Sequence, residues 1–365
     1  MPKYPILVAS YTNDIVTLEF DSDNATLKQT SSTTVGHHPS WIEGHPTNPN
    51  IVYTGLEQSD GKILALNFED NGKKGGLVSQ ISSIGQDPCS VHVDKDQVFA
   101  ANVRPCFISL KVTKRTVIPI QGGKTGSLSE PGYSIQLSGT GPDKSRQEGS
   151  HPHQVILHPT YQELFVPDLG ADVVRRYKKD ASGKWAFKGH VGVESGGGPR
   201  HVAFYDGDLF TILELSSKVV RHKLPALPEP PKFLVSKPTM SNPPPTPNKM
   251  LGAEILIPPP NATFNTPYLY LSNRDDPSPE GDIISIFSIE QPGSLDLVTE
   301  VRTGLKHVRG IVFGGPDDRY LIAGGGRGGG VKVYERTEGG KNLKVVAEYS
   351  DVEAPTGFWW LPAYL

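Results

Sequence analysis

Cysteine is nearly missing: Cys89 and Cys106 are the only two in 365 residues. Two thiols cannot make a disulfide framework in so long a chain, and their scarcity fits a reducing, cytoplasmic setting where both act as small buried hydrophobes. Long hydrophobic runs are missing too. The opening stretch MPKYPILVASYTND holds only a short apolar run, without the h-region or cleavage site of a signal peptide, so neither a leader nor a membrane span is expected. There is no excess of positive charge. Thirty-six Lys and Arg against 39 Asp and Glu leave a formal charge of −3, which excludes the basic footprint of a nucleic-acid partner. No stretch carries the period of an amphipathic helix. G-x-S-x-G is absent, which argues against a serine nucleophile on a strand-turn-helix elbow. Asn24 and Asn261 begin glycosylation triplets, which mean little without a secretory route.

Turn formers are plentiful instead, with 39 Gly and 33 Pro, and they punctuate a repeat. GHHPSWIEGHPTNPNIVYTGLEQSDGKILALNF starts at Gly36 and GQDPCSVHVDKDQVFAANVRPCFISLKV at Gly85. GSHPHQVILHPTYQELFVPDLGADVVRRYKK starts at Gly149 and GGGPRHVAFYDGDLFTILELSSK at Gly196. Two further units start at Leu251 and Leu305. Each reads as strand, Pro/Asp/Gly/Asn turn, more aromatic strand, polar loop and third strand, with a weaker fourth strand in the spacer. Units of this length and layout predict an all-β fold, a β-propeller of four-stranded blades. The ends supply one more blade: APTGFWWLPAYL reads as a first strand, and ILVASYT and DIVTLEF as its second and third. Residues 1–365 are therefore expected to form a single seven-bladed β-propeller domain, its ring closed by pairing of the N- and C-terminal strands. Two spacers, residues 113–149 and 224–249, are unusually long, which marks them as functional loops or linker-like decoration.

Successive strands of a blade run antiparallel, so residues entering the first strand and residues leaving the second share one mouth of the central channel. That bookkeeping brings Arg200, His151, His153, Gln154, His307 and Arg309 to the mouth from strand entrances. From strand exits it brings Glu214, Asp168, Arg274, Asp275, Glu57 and Asn102. His and Glu can move protons, while guanidinium forks hold carboxylates or oxyanions, so the set suits acid/base work on a small anionic substrate. His201, on the alternate side of its strand, is expected to be structural. Metal sites are disfavoured: His151 and His153 lack a third ligand, and arginines oppose a cation beside Asp168, Glu214 and Asp275. GGGRGGG at residues 324–330 satisfies G-x-G-x-x-G but leads into a strand, so it is expected to be a flexible hairpin loop and not a dinucleotide site. No cofactor is expected.

The segments SHPHQVILHP, FVPDLGADVVRRY, GPRHVAF, LFTILELSS and YLYLSNRDD closely resemble the seven-bladed propeller lactonase family, which includes propeller-type 6-phosphogluconolactonases and fungal carboxy-cis,cis-muconate cyclases. The resemblance runs from about Ile6 to Leu365. It implies a mouth where lactone rings open or close, with the family's functional histidine falling on His153, its arginines on Arg200 and Arg274 and its glutamate on Glu214. His153 would then activate water, Glu214 would relay or return the proton, and Arg200 and Arg274 would bind the carboxyl or phosphate and the oxyanion. HVRG in the last unit, where the family has Pro-Arg, and the glycine-rich loop after it depart from the family pattern and bear on which substrate is taken. The alternative chemistry is lactone-forming cycloisomerisation of a muconate, or a secondary-metabolism cyclase on the same scaffold. A non-catalytic binding propeller ranks last, because Trp-Asp dipeptides are absent and the charges gather at one mouth.

Overall fold

In the computed structural model of the protein, residues 2–104, 113–121, 126–129, 133–243 and 249–364 are described. They form an all-β propeller with seven sheets; two single 3₁₀ turns, Pro316–Asp318 and Glu338–Gly340, are the only helical pieces among the described residues. No helix there is long and apolar enough to cross a membrane.

Six sheets take their strands in chain order, innermost first. The second begins with Pro39–His45, the third with Gln86–Val93, the fourth with Ile156–Leu157, the fifth with Pro199–Tyr205, the sixth with Leu251–Leu256 and the seventh with Lys306–Gly314. The first sheet combines both chain ends. Its innermost strand, Pro355–Trp360, lies antiparallel to Lys3–Ser10, with Trp360 opposite Ile6 and Phe358 opposite Val8, and Asp14–Asp21 and Thr26–Thr34 follow outward.

Middle strands read as continuous apolar runs because a neighbouring sheet covers each face. LFVPD, DLFTIL and YLYLSNR are buried throughout, whereas the outer Thr26–Thr34 buries only Leu27. Seven of the eight apolar clusters among the described residues each join two neighbouring sheets, and each large side chain buried there contributes about 1.5–3 kcal/mol. Ile42 and Leu7 join sheets two and one, Val166 and Phe99 four and three, and Ile212 and Leu269 five and six. The seventh sheet meets the first through Ile322, Val333, Ile6 and Phe20.

The long spacers hold strands as well as loops. Tyr133–Leu137 pairs with Thr113–Gln121 in the third sheet, and Lys232–Pro238 is the fourth strand of the fifth. The third strand expected at residues 106–112, with Cys106, lies outside the described residues; the strand paired with Gln97–Arg104 is Thr113–Gln121. GGGRGGG is mostly strand and not a flexible loop. Tyr320–Gly328 turns through Gly329 into Gly330–Thr337, and the positive φ values of Gly328, Gly329 and Gly330 (143°, 93° and 67°) are what that turn requires.

One irregularity recurs in every innermost strand. Pro199 faces Leu213 and His201 faces Ile212, so Arg200 is an extra residue; Cys89 is extra in the same way between Pro88 and Ser90, and Ser40 between Pro39 and Trp41. Corresponding shifts occur at Gly252/Ile255, at Val308/Ile311, at Pro355/Gly357 and between Pro152 and Ile156. Each is a β-bulge, which breaks the alternation of side chains and re-aims the extra one.

Candidate active site

The mouth is assembled by a repeated backbone bond between a second strand's exit and a first strand's entrance. Glu214 N donates to Gly198 O at 2.7 Å, Leu169 N to His151 O at 3.0 Å, Glu57 N to His38 O at 2.9 Å and Tyr11 N to Ala354 O at 3.0 Å. Bulged residues and exit residues therefore face one another.

Glu214 sits at the centre, 1% exposed. Its Oε2 accepts from Arg200 Nη1 at 2.6 Å and forms an ion pair with Arg274 Nη2 at 2.7 Å, and its Oε1 accepts from Arg146 Nη2. Burial alone would push this carboxyl up. Arg274 and Arg200 foremost, with Arg146, outweigh it and hold the group well below the usual carboxylate range. Arg200 is tied down further by Nε donating to Ala253 O at 3.0 Å, and Arg274 by Nη2 donating to Gly252 O at 3.2 Å. Arg274 Nε has no hydrogen-bond partner among the described residues. Burial, the neighbouring Arg274 and Arg309 pull the Arg200 guanidinium down to about 10 against the pull of Glu214, so it is still charged at neutral pH.

His153 faces this cluster. Arg200 Nη1 donates to its Nε2, and its Nδ1 lies 3.3 Å from His201 Nε2. The thiol of Cys89 lies 3.4 Å from the His153 carbonyl oxygen. Burial first, then the Arg200 guanidinium, hold the His153 imidazole well below its ordinary range, so it is neutral at physiological pH with a lone pair on the mouth side.

The opposite wall is built by Arg309, 3.5 Å from Glu57 Oε2 and set over the Tyr11 ring at 5.3 Å from its centre. Tyr11 donates its hydroxyl to Glu57 at 3.2 Å.

His153, Arg200, Glu214 and Arg274 thus come together, with Arg309 and Glu57 across the mouth. The remaining expected residues stand apart. Asp168 is fully enclosed and accepts from Ser150 Oγ at 2.5 Å, the His151 amide at 2.8 Å and Arg175 at 2.7 Å, which pins a loop. His151 Nδ1 bonds Val103 O at 2.8 Å, Gln154 Oε1 accepts from Val202 N at 2.8 Å, and Asn102 Nδ2 donates to Ser83 O at 3.3 Å. Asp275 makes a separate rim pair with His307 at 3.0 Å and with Arg327 at 2.7 Å, and burial lowers His307 to about 4 in spite of that bond. No group of three or more metal-ligating side chains occurs among the described residues.

Arg146, Tyr11 and Glu254 are absent from the expected set, and the sequence pattern points to a structural role for His201. Arg146 comes from a spacer with no repeat signal. Glu254 could have been found by aligning the seven strand entrances, where it occupies the position of His201 one blade on.

A family model described as "Lactonase, 7-bladed beta-propeller" matches residues 5–360. A relative from Arthroderma benhamiae named "Probable 6-phosphogluconolactonase" is 27% identical over 370 aligned positions, covering 97% of this chain and 88% of its own. A 6-phosphogluconolactonase from Formosa agariphila is 27% identical, covering 82% of each chain. Among solved structures, the periplasmic gluconolactonase of Pseudomonas aeruginosa superimposes with a TM-score of 0.82 at 20% identity, covering 99% of both chains, which speaks to the fold alone.

Proposed function

Because the chain belongs to the seven-bladed β-propeller lactonase family, we propose that its mouth hydrolyses a sugar-acid lactone, with the phosphorylated hexonolactone named for its relatives as the first substrate to try. The observation that carries the reading is one carboxylate, Glu214, shared by three guanidiniums beside a neutral imidazole. Three positive charges against one negative leave an excess that suits an anionic substrate, and guanidinium forks match carboxylate and phosphate oxygens.

In this reading the substrate anion takes over donors of Arg200 and Arg274, and Arg200 Nη1 leaves His153 Nε2. That nitrogen removes a proton from a water molecule as the water oxygen attacks the lactone carbonyl carbon. The oxyanion is held by guanidinium N–H groups, each such donor being worth roughly 3 kcal/mol in the transition state. The ring C–O bond then breaks, His153 returns the proton to the departing oxygen, and a hydroxy acid leaves that gives up its carboxyl proton to solvent. Glu214 receives a different task from the proton relay expected from sequence. Its oxygens are taken by arginines and it is held ionised, so it serves as the counter-charge that aligns them. We also take the pairing of Pro355–Trp360 with Lys3–Ser10 as the joint that closes the seven sheets into a ring.

The test is hydrolysis of 6-phosphogluconolactone in ¹⁸O-labelled water. We expect one solvent oxygen in the product and a fall in kcat/KM of about 10²–10⁴ in His153→Ala, the span of a lost general base. Arg274→Ala should raise KM more for the phosphorylated lactone than for its unphosphorylated counterpart. Full turnover in His153→Ala would overturn the assignment, and muconate cyclisation without solvent oxygen would replace it with the lactone-forming reaction.

A further inference from the structure

Behind His153, away from the mouth, a buried polar chain crosses three sheets. His201 Nε2 lies 3.3 Å from His153 Nδ1, and His201 Nδ1 lies 2.7 Å from Glu254 Oε1. His201 is fully enclosed and Glu254 is 5% exposed. The edge of Trp41 meets the His201 ring at 5.5 Å and 87°, which fixes the plane of the imidazole.

The partners leave one arrangement of protons. A carboxylate oxygen only accepts, so His201 carries its proton on Nδ1 and its Nε2 is bare. His153 must then donate from Nδ1 to that bare nitrogen, which leaves its own Nε2 unprotonated toward the mouth, where Arg200 donates to it. The other tautomer of His153 would set two N–H groups against each other at Arg200 and two lone pairs against each other at His201.

On this basis we propose that His201 and Glu254 are positioning residues for the hydrolysis assigned above: they fix the tautomer of His153 that presents a bare Nε2 to water, and they stabilise the positive charge His153 gains when it takes the proton. The proposal rests on His153 being the base. When the proton arrives, His153 donates its existing Nδ1–H to His201, which donates to Glu254; no proton need leave either bond, and the charge is spread toward a carboxylate. A purely structural role accounts poorly for the arrangement. Glu254 forms its one ion pair among the described residues with His201, and a buried carboxylate beside a neutral imidazole is costlier than an apolar pair of like volume. Its presence makes sense if a positive charge comes and goes next to it.

The tautomer is read directly by ¹⁵N imidazole NMR of the unliganded protein, with His153→Gln and His201→Gln spectra for assignment. We expect His153 protonated at Nδ1 and His201 protonated at Nδ1, and a mixture of tautomers at both in Glu254→Gln. Kinetically, Glu254→Gln should lower kcat by about 10²-fold with KM little changed, in line with losing the orienting partner of a histidine, and Glu254→Asp should recover part of it. The groups facing His153 are Arg200, His201, Cys89, Glu214 and Arg309, and those facing His201 are Glu254, Trp41, His153, Arg200 and Arg309. Of these only Glu254 changes charge in the variant. Without it the imidazolium is less stable, so the acid limb of kcat/KM should move to lower pH. A wild-type spectrum with His153 protonated at Nε2 overturns the proposal even if no variant folds. A folded Glu254→Gln with wild-type kcat and pH profile overturns it as well. If the wild type opens no lactone while the spectrum is as expected, the fault lies in the assigned reaction and not in the tautomer chain.

Discussion

Glu214 illustrates what a buried carboxylate does when every neighbour is a cation. Taking it out of water is costly, and the attraction of Arg200 and Arg274 has to offset that cost, so removing its charge leaves two guanidiniums buried against each other. We predict that Glu214→Gln, although isosteric, destabilises the fold by about 3 kcal/mol, the lower end of what breaking a buried ion pair costs. The midpoint of urea unfolding should fall at constant slope. Inorganic phosphate should raise the variant's midpoint more than the wild type's, because an anion can occupy the place of the lost charge. A midpoint unaffected by the substitution would mean that the arginines hold themselves without Glu214.

At the scale of the strand, the site depends on the bulge and on the left-handed residue that precedes it. His38, Asp87, Gly198, His307 and Ala354 have φ values of 53°, 50°, 66°, 64° and 44°, each just before the bulged pair. Gly198 is the glycine among them, and a Cβ there would meet Leu215 Cγ at 2.6 Å. Ala354 contributes no functional side chain. Ala354→Gly should therefore stabilise by roughly 0.5–1 kcal/mol, the left-handed strain relieved less the extra freedom glycine has when unfolded. Gly198→Ala should destabilise by more than that and weaken anion binding, because it displaces Arg200. Thermal melts of the two variants check both, and shifts of equal sign would be inconsistent with strain at this position. The same bulge explains what could be read from the chain beforehand. The blade starts were legible because Pro, Gly and Asp mark them, and the antiparallel run of the strands puts Arg200 and Glu214 on one rim, where the two side chains meet at 2.6 Å. Strict alternation, however, put His201 on the far side of its strand. The bulge cancels that alternation, and the resulting contact with His153 depends on a neighbouring sheet that one strand cannot reveal. Arg146 was illegible for another reason: it lies outside the repeat, and only the packing of its loop brings it to Glu214.

At the scale of the whole molecule, the chain ends make one sheet, and a closed ring would depend on that joint. Lys3 N donates to Tyr364 O at 2.8 Å and Tyr364 N to Lys3 O at 3.0 Å. Glu19, itself buried, gathers Lys3 at 2.9 Å, Lys28 at 3.1 Å and the Tyr364 hydroxyl, and although burial opposes it these bonds lower its carboxyl to about 2. Trp359 lies so close to Gly44 of the second sheet that a Cβ there would be 2.1 Å from its ring. Removing residues 355–365 would leave Lys3–Ser10 with an unpaired edge and strip Phe358 from the cluster between sheets seven and one. We predict that this truncation abolishes cooperative unfolding, whereas a circular permutant that links residue 365 to residue 1 and opens the chain at the exposed turn around Gly183 keeps a melting temperature within a few degrees of the parent's, about what a change of 1 kcal/mol or less produces. The pair separates two architectures. In a ring held by its terminal strands, position of the break matters only through whether the joint is made. In an open stack of sheets, each sheet leans only on its neighbours, so the truncation would unfold the first sheet alone and leave a native-like transition for the rest. Near-UV circular dichroism and calorimetry of the truncated and permuted proteins read that difference, and a surviving cooperative transition in the truncated chain would rule out the ring.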